Sequence, residues 1–141
     1  MIKRFLLLGL IISFIILMIG CVPTPRADLT VQSLDDIYND CSLVAAPGSC
    51  AITLTFTIVN IGLGDAGPFK VLAKVDPGLA QQGTVSVVSL AAGATTTLTI
   101  TLPPGGNCYD PDCAVEITVD SDNEVIESNE GNNIYIENII G

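Results

Sequence analysis

The residues of this chain best suited to chemistry lie in one acidic stretch near its C-terminal end. Residues 120–130 read DSDNEVIESNE and carry five acidic side chains. Carboxylate and amide oxygens are the hard ligands that calcium takes. Val125 stands where an EF-hand loop needs Gly and Gly131 where it needs a bidentate Glu, so the spacing is not that of an EF-hand. The candidate calcium ligands are Asp120, Asp122, Asn123, Glu124 and Glu127.

A second interpretation of this loop needs no metal. Asn and Asp tolerate positive φ and hydrogen-bond nearby backbone amides, so they are typical of tight loops that support themselves. Under this interpretation Glu127, Asn132 and Asn133 brace the loop through fixed hydrogen bonds to its amides. We favour bracing and expect no cofactor, and calcium remains the alternative.

Few residues of the chain could carry catalysis. It contains no His, which is the commonest general base and the commonest transition-metal ligand. It also lacks a G-x-S-x-G nucleophile motif and a Gly-rich phosphate loop. Glu124 and Glu127 could form an acid-base pair of the glycosidase type, but a protruding loop provides no substrate cleft. We therefore expect a protein that is not an enzyme.

The cysteines fall into two groups, Cys21 and four in the rest of the chain. An even number in an exported domain predicts two disulfides, for which three pairings are open. Local pairs, Cys41 with Cys50 and Cys108 with Cys113, are the simplest. The loops that they close would lie at one end of the fold, which leaves a cross-linked arrangement open. A four-thiolate zinc site is the rival, but these spacings fit it poorly.

The first 21 residues have the form of a secretory leader. Two basic residues precede an apolar run over residues 5–19, shorter than the ~20 residues that a membrane span usually needs. The residues before Cys21 resemble a lipoprotein box, whose cysteine is lipidated and becomes the new N-terminus. An uncleaved signal anchor is the alternative. Both place the domain outside the cytoplasm, held at the cell membrane or cell surface.

After Cys21 the chain is predicted to contain a short linker and one domain. Residues 22–27 include two prolines and are predicted to form a stiff linker, and residues 28–141 form the domain. The formal charge of the chain is -10, and three basic against fifteen acidic residues after Cys21 give that part -12. Binding a phosphate backbone requires clustered Lys or Arg, and neither occurs after Lys74. We therefore expect no nucleic-acid partner.

Alternating apolar and polar residues predict seven strands. Ile, Leu and Phe alternate with Thr over residues 52–58, and Val and Ile alternate with Glu and Thr over residues 115–119. In the last strand Ile134 and Ile136 alternate with Tyr135 and Glu137. The first strand is predicted near residues 29–32, followed by a polar connection over residues 35–50. The prolines and glycines at residues 103–106 are predicted to stop the fifth strand.

No helical period accompanies these strands. Turn signals separate them at short intervals, which is typical of sandwiches of two antiparallel sheets. We predict an all-β, immunoglobulin- or fibronectin-III-like two-sheet sandwich of about seven antiparallel strands.

The closing hairpin carries a specific motif. After a strand that ends in Asp, residues 122–133 follow the pattern D-N-x-V-x-E-S-N-E-x-N-N. Earlier segments agree with it: DLTV at 28–31, VNIG at 59–62, AGPF at 66–69 and LAAGAT at 90–95. Together they resemble CARDB domains, the cell-adhesion-related modules of bacteria and archaea. The resemblance covers the chain from Asp28 onward, and the cysteine-bearing insertions depart from the common pattern.

This resemblance implies adhesion or interaction with an envelope protein. We expect a non-catalytic lipoprotein module that is anchored to the membrane by lipid and binds an envelope protein or carbohydrate. A structural spacer and a calcium-braced binding module are the alternatives. A binding module should expose an apolar or aromatic patch, which Tyr38, Tyr109 and Tyr135 could supply.

Overall fold

The computed structural model describes residues 23–42, 50–77, 81–106, 108 and 112–141, and these form seven strands. They contain no helix long and apolar enough to cross a membrane. The strands are β1 (Leu29–Asp40), β2 (Cys50–Asn60), β3 (Phe69–Val75), β4 (Gln82–Val87), β5 (Thr95–Gly106), β6 (Asp112–Val119) and β7 (Ile134–Ile140).

The strands form two antiparallel sheets. One has the order β1-β2-β5 and the other β4-β3-β6-β7. The inner faces of the two sheets enclose a single apolar core, whose largest fully buried side chains are Phe56 and Phe69. The predicted all-β sandwich of seven antiparallel strands in two sheets is confirmed.

The central strand β2 shows why the alternation predicts this architecture. Its Ile, Leu and Phe side chains are completely buried, and the Thr residues between them lie on the outer face. There Thr53, Thr55 and Thr57 pair with Thr101, Thr99 and Thr97 of β5 at 3.0, 3.2 and 3.0 Å between hydroxyl oxygens. Cross-strand Thr pairs of this kind stabilise an exposed sheet face.

In the last strand, β7, the face that packs against the core is not the face that hydropathy favours. Ile134 and Ile136 are exposed, whereas Tyr135 and Ile139 pack against the core. The register explains this, because residues opposite one another in an antiparallel pair share a face. Tyr135 lies opposite the buried Ile117 of β6, and Ile136 lies opposite the outward-facing Glu116.

Two strands continue through segments where the sequence predicts a connection or a stop. β1 continues through residues 35–40, which were predicted as a polar connection. The pairing of β1 with β2 shifts register between Val31 and Ser33 and again between Leu34 and Asp36. These irregularities interrupt the period-2 pattern of β1, so the sequence does not predict this part of the strand. β5 continues to Gly106 through two prolines. It lies at the edge of its sheet, where the missing N–H of Pro is tolerated.

The sandwich has two distinct ends. The N-terminal pole carries the start of β1 and the loops at residues 61–68, 88–94 and 120–133. The disulfide pole carries the end of β1, the start of β2 and the paired cysteines. The acidic loop thus lies at the end where the chain enters the fold.

Candidate functional site

The acidic loop at residues 120–133 is built on the carboxylate of Asp120. Asp120 directly follows β6 and is buried, with φ at 49°. Its two oxygens accept the backbone N–H groups of Glu124 at 2.8 Å and Val125 at 2.9 Å. The Val125 side chain is thereby held in the core. Asn123 also has a positive φ, 56°, which an Asn tolerates better than most residues.

Glu127 joins this loop to the first strand. Its side chain is only 3% exposed. One carboxylate oxygen accepts the backbone N–H of Leu29 in β1, and the other accepts Nδ2 of Asn133 at 2.9 Å. Burial raises the pKa of Glu127, the hydrogen bonds from Leu29 and Asn133 oppose that rise, and the charges of Glu130 and Asp120 add to it.

Further contacts from the acidic loop close on the chain as it enters the fold. The Ser128 N–H donates to the carbonyl of Ala27 at 2.8 Å, and the Ser128 hydroxyl donates to the Asp28 carboxylate at 3.0 Å. Asn132 Nδ2 donates to the same carboxylate at 2.7 Å, and the backbone carbonyl of Asn132 accepts the Thr30 hydroxyl at 2.9 Å. Ala27 and Glu127 form a short parallel bridge. One side of the entering chain is therefore hydrogen-bonded to the acidic loop.

The loop after β2 forms the other side. The N–H groups of Leu63 and Gly64 donate to the carbonyl of Arg26 at 3.0 and 2.9 Å. A Cβ at Gly62 would lie 2.5 Å from backbone atoms of Arg26 and Ala27, so only glycine allows this approach. We call the arrangement the N-terminal clamp: residues 25–28 held between residues 62–64 and residues 127–132. Ala27, in the predicted linker, already belongs to the core.

Asn60 connects the clamp to the neighbouring loop. It is fully buried, and its Oδ1 accepts the N–H groups of Asp28 and Gly62, both at 3.1 Å. Its Nδ2 donates to the carbonyls of Gly64 at 2.9 Å and Leu90 at 3.0 Å. Asn60 is absent from the sequence-predicted site residues. Its place at the end of a strand, before a Gly-containing turn, is the signal that could have identified it.

The predicted bracing residues have other partners than expected. Glu127 accepts from a β1 amide, Asn133 donates to Glu127, and Asn132 donates to Asp28. Through these contacts none of the three side chains binds a backbone amide of the loop. The backbone amides of the loop are bound by Asp120, by Glu130, which accepts the Glu127 N–H at 2.9 Å, and by Asn129, which accepts the Gly131 N–H at 3.1 Å. The bracing therefore holds the loop to β1, which sequence spacing cannot reveal.

The candidate calcium ligands are not arranged as a metal site. Both oxygens of Asp120 and both of Glu127 are occupied by hydrogen bonds. Asp122 forms an ion pair with Lys70, which raises the pKa of the lysine. Asn123 and Glu124 are exposed. Among the described residues there is no group of three or more acidic or cysteine side chains that could hold a metal ion.

The cysteines of the domain are paired at the opposite pole. Cys41 is bonded to Cys50 and Cys108 to Cys113, which confirms the predicted disulfides and leaves no thiolate among the four for zinc. Both pairs are local. Gln81 lies beside them, buried, and its Nε2 donates to the carbonyls of Cys50 at 3.2 Å and Pro103 at 2.8 Å. Cys21 lies outside the described residues.

Known structures share this architecture. No curated protein matches the chain. A domain of a proposed cell surface protein from Methanosarcina acetivorans, solved by NMR, is 25% identical with a TM-score of 0.58, and the match covers 82% of this chain and 91% of that one. The crystal structure of the CARDB domain of a Pyrococcus furiosus protein, in complex with di-metal ions, is 24% identical with a TM-score of 0.53 over 82% of this chain and 88% of that one.

A solution NMR structure of the same Pyrococcus furiosus domain is also similar, at 24% identity and a TM-score of 0.51 over 82% of this chain and 94% of that one. At this identity the two Pyrococcus furiosus structures show a common fold. The family model for CARDB matches residues 26–137, which include β1 to β6, the first part of β7 and all of the N-terminal clamp except Pro25. The resemblance of the closing hairpin is thereby confirmed, and the chain belongs to the CARDB family.

Proposed function

We propose that this protein is a non-catalytic module of the cell surface, anchored to the membrane through a lipid on Cys21, that mediates adhesion or binds an envelope protein or carbohydrate. The chain belongs to the CARDB family, and this membership supports a role in adhesion or envelope interaction. The Methanosarcina acetivorans relative is a proposed cell surface protein. Two disulfides also suit an oxidising compartment outside the cytoplasm.

The observation that carries this proposal is that the chain entry and the disulfides lie at opposite ends of the sandwich. The chain enters at the N-terminal pole, where the clamp fixes it, and the disulfides stabilise loops at the far end. An anchor on Cys21 would direct the disulfide pole away from the membrane. This pole carries the exposed Tyr38 and a shallow groove between Asp76, Asp112 and Asn138. Loops on a rigid sandwich are common sites of recognition.

Of the three tyrosines, Tyr38 best suits contact with a partner. It is 60% exposed near the end of β1, whereas Tyr135 is half-buried and donates its hydroxyl to Glu137. Tyr109 lies outside the described residues. An exposed ring can stack on a sugar or fill a protein pocket at low cost in conformational entropy.

The anchor is tested by changing Cys21→Ser in the full chain and separating cell membranes with a phase-forming detergent. The wild-type protein should enter the detergent phase, and the variant should remain in the aqueous phase, because acyl chains supply the only strong attachment after the leader is removed. Equal recovery of both proteins from the detergent phase would indicate an uncleaved signal anchor instead.

Binding is tested with residues 23–141, which contain both sheets and the core and correspond to domains that have been solved in isolation. The domain should bind purified envelope fractions saturably. Tyr38→Ser should weaken binding, and Ile136→Ser, an equally exposed substitution on the outer face of β7, should not. Absence of saturable binding by the wild-type domain would favour the structural spacer. A calcium-braced module, the other alternative, conflicts with the occupied carboxylates of Asp120 and Glu127.

A further inference from the structure

Four large apolar side chains project from the loops of the N-terminal pole. Leu63 is 86% exposed, Val88 81%, Ile126 75% and Ile61 57%. Among the described residues these are half of the large hydrophobics that are exposed. Single exposed apolar residues are common on proteins, but several on neighbouring loops mark a surface that contacts something apolar.

Hydrogen bonds join the loops that carry them. Ala66 and Leu90 exchange backbone hydrogen bonds of 2.9 and 3.1 Å, which link the Leu63 loop to the Val88 loop. The N-terminal clamp links the Leu63 loop and the Ile126 loop through the entering chain between them. The four side chains therefore belong to one braced surface, which we call the apolar rim: Ile61, Leu63, Val88 and Ile126.

The entering chain brings this rim close to the predicted lipid. A Cβ at Gly64 would lie 2.5 Å from the carbonyl oxygen of Pro25, so the chain is in contact with the rim loop from Pro25 onward. Pro25 is four positions after Cys21, and four residues span at most about 14 Å when fully extended. A lipid on Cys21 would therefore hold Pro25 within that distance of the lipidated residue, with the rim loop in contact with Pro25.

The charges of this pole favour a lipid surface without net charge. Asp65, Glu124 and Glu130 are exposed near the rim, and anionic headgroups would repel them over about a Debye length, ~8 Å at physiological salt. Among the described residues, Lys70 and Lys74 form ion pairs. Arg26, which is exposed on the entering chain, forms none with a described residue. An exposed Arg so close to the predicted anchor suits a lipid phosphate, which Arg binds through two parallel hydrogen bonds.

We infer that the N-terminal pole is a membrane-docking surface, whose apolar rim inserts into the headgroup and acyl boundary of the bilayer that anchors the chain. This inference rests on the lipid anchor of the proposed function. Because the tether keeps the rim at high effective concentration near the bilayer, four side chains suffice without strong binding of their own. Docking orients the disulfide pole outward, so the lipid and the rim together set the direction in which the module faces its partner.

The chain contains no Trp, so a single introduced Trp reports its own surroundings. Leu63→Trp tests the rim, and Ile140→Trp at the disulfide pole is a matched control, since these side chains are 86% and 84% exposed. Each full-length lipidated protein is reconstituted into phosphatidylcholine vesicles with brominated acyl chains, which quench Trp at the acyl boundary. We expect at least about twofold quenching for Trp at position 63, since interfacial apolar side chains reach ~5–10 Å into that boundary, and none at position 140.

A third protein combines Leu63→Trp with Val88→Asp and Ile126→Asp, which should remove the quenching while the anchor remains. Quenching is measured on protein that floats with the vesicles. If the lipidated protein does not float, the anchor of the proposed function fails, and the docking surface with it. If it floats but positions 63 and 140 are quenched equally, or the two Asp substitutions leave the quenching unchanged, the docking surface alone is refuted.

Discussion

Glu127 is the side chain whose removal should most affect the N-terminal clamp. It is buried, and its carboxylate accepts the Leu29 N–H and the Asn133 amide. In Glu127→Ala both donors remain in a buried site without an acceptor. Each unsatisfied buried group costs ~1–3 kcal/mol, so we expect the free energy of unfolding to fall by about 3 kcal/mol.

The isosteric change Glu127→Gln separates the loss of hydrogen bonds from the loss of charge. The Gln oxygen can still accept the Leu29 N–H, while its NH₂ group meets Asn133. Oδ1 of Asn133 is buried and has no hydrogen-bond partner, so a flip of the Asn133 amide provides the acceptor that the new NH₂ group needs. We therefore expect Glu127→Gln to cost less than about 1 kcal/mol at neutral pH.

The two carboxyl states of Glu127 also make stability depend on pH. Burial raises its pKa in the folded protein, so the folded state binds the proton more readily than the unfolded state does. Its contribution is fully present below the unfolded pKa, ~4.3, and is lost as pH rises through the higher folded pKa. Glu127→Gln removes this dependence. The free energy of unfolding of the variant, relative to that of the wild type, should therefore increase as pH rises through that window.

Urea unfolding followed by far-UV circular dichroism measures the free energy of unfolding of both variants and its dependence on pH. The disulfides are kept intact, and the slope of free energy against urea concentration should be the same for all variants. Glu124→Ala is the control, because Glu124 is an exposed carboxylate of the same loop. The reasoning is refuted if Glu127→Ala lies within about 0.5 kcal/mol of wild type, the usual effect of a surface substitution. It is also refuted if Gln is as costly as Ala, or if the wild type and Glu127→Gln share one pH profile.

Other parts of the structure give further predictions. Gly62→Ala should destabilise the domain by about 1–3 kcal/mol because its Cβ meets backbone atoms at 2.5 Å, and Gly67→Ala, with no atom within 4 Å, should not; equal urea midpoints would contradict this. Asn60→Ala removes four hydrogen bonds from a fully buried site and should lower the free energy of unfolding by at least ~2 kcal/mol, measured in the same way. Calcium should raise the melting temperature no more than magnesium does, and a calcium-specific rise that Asp122→Ala erases would show a metal site. Alkylation under denaturing, non-reducing conditions should label none of the four domain cysteines, and labelling of all four in fresh protein would contradict the disulfides.

The strand pattern of this domain is largely local information. In β2 and β6 every second residue is apolar, and burying those residues on one face requires an extended backbone with period 2. Positive φ at Asp120 and Asn123 is likewise a preference of the residues themselves. The cysteine count predicts the number of disulfides, and the motif of the closing hairpin identifies the family.

The tertiary structure alone decided which faces and partners these residues have. The apolar pattern of β7 favours Ile134 and Ile136 for the core, but register with β6 places Tyr135 there, because residues paired across strands share a face. Glu127 was one of several carboxylates in a polar loop, and it became a buried acceptor because the fold brings Leu29, 98 positions away, against it. The apolar rim likewise consists of four residues on three separate loops. Contacts between residues far apart in sequence leave no periodic signal, so only the folded chain could bring them together.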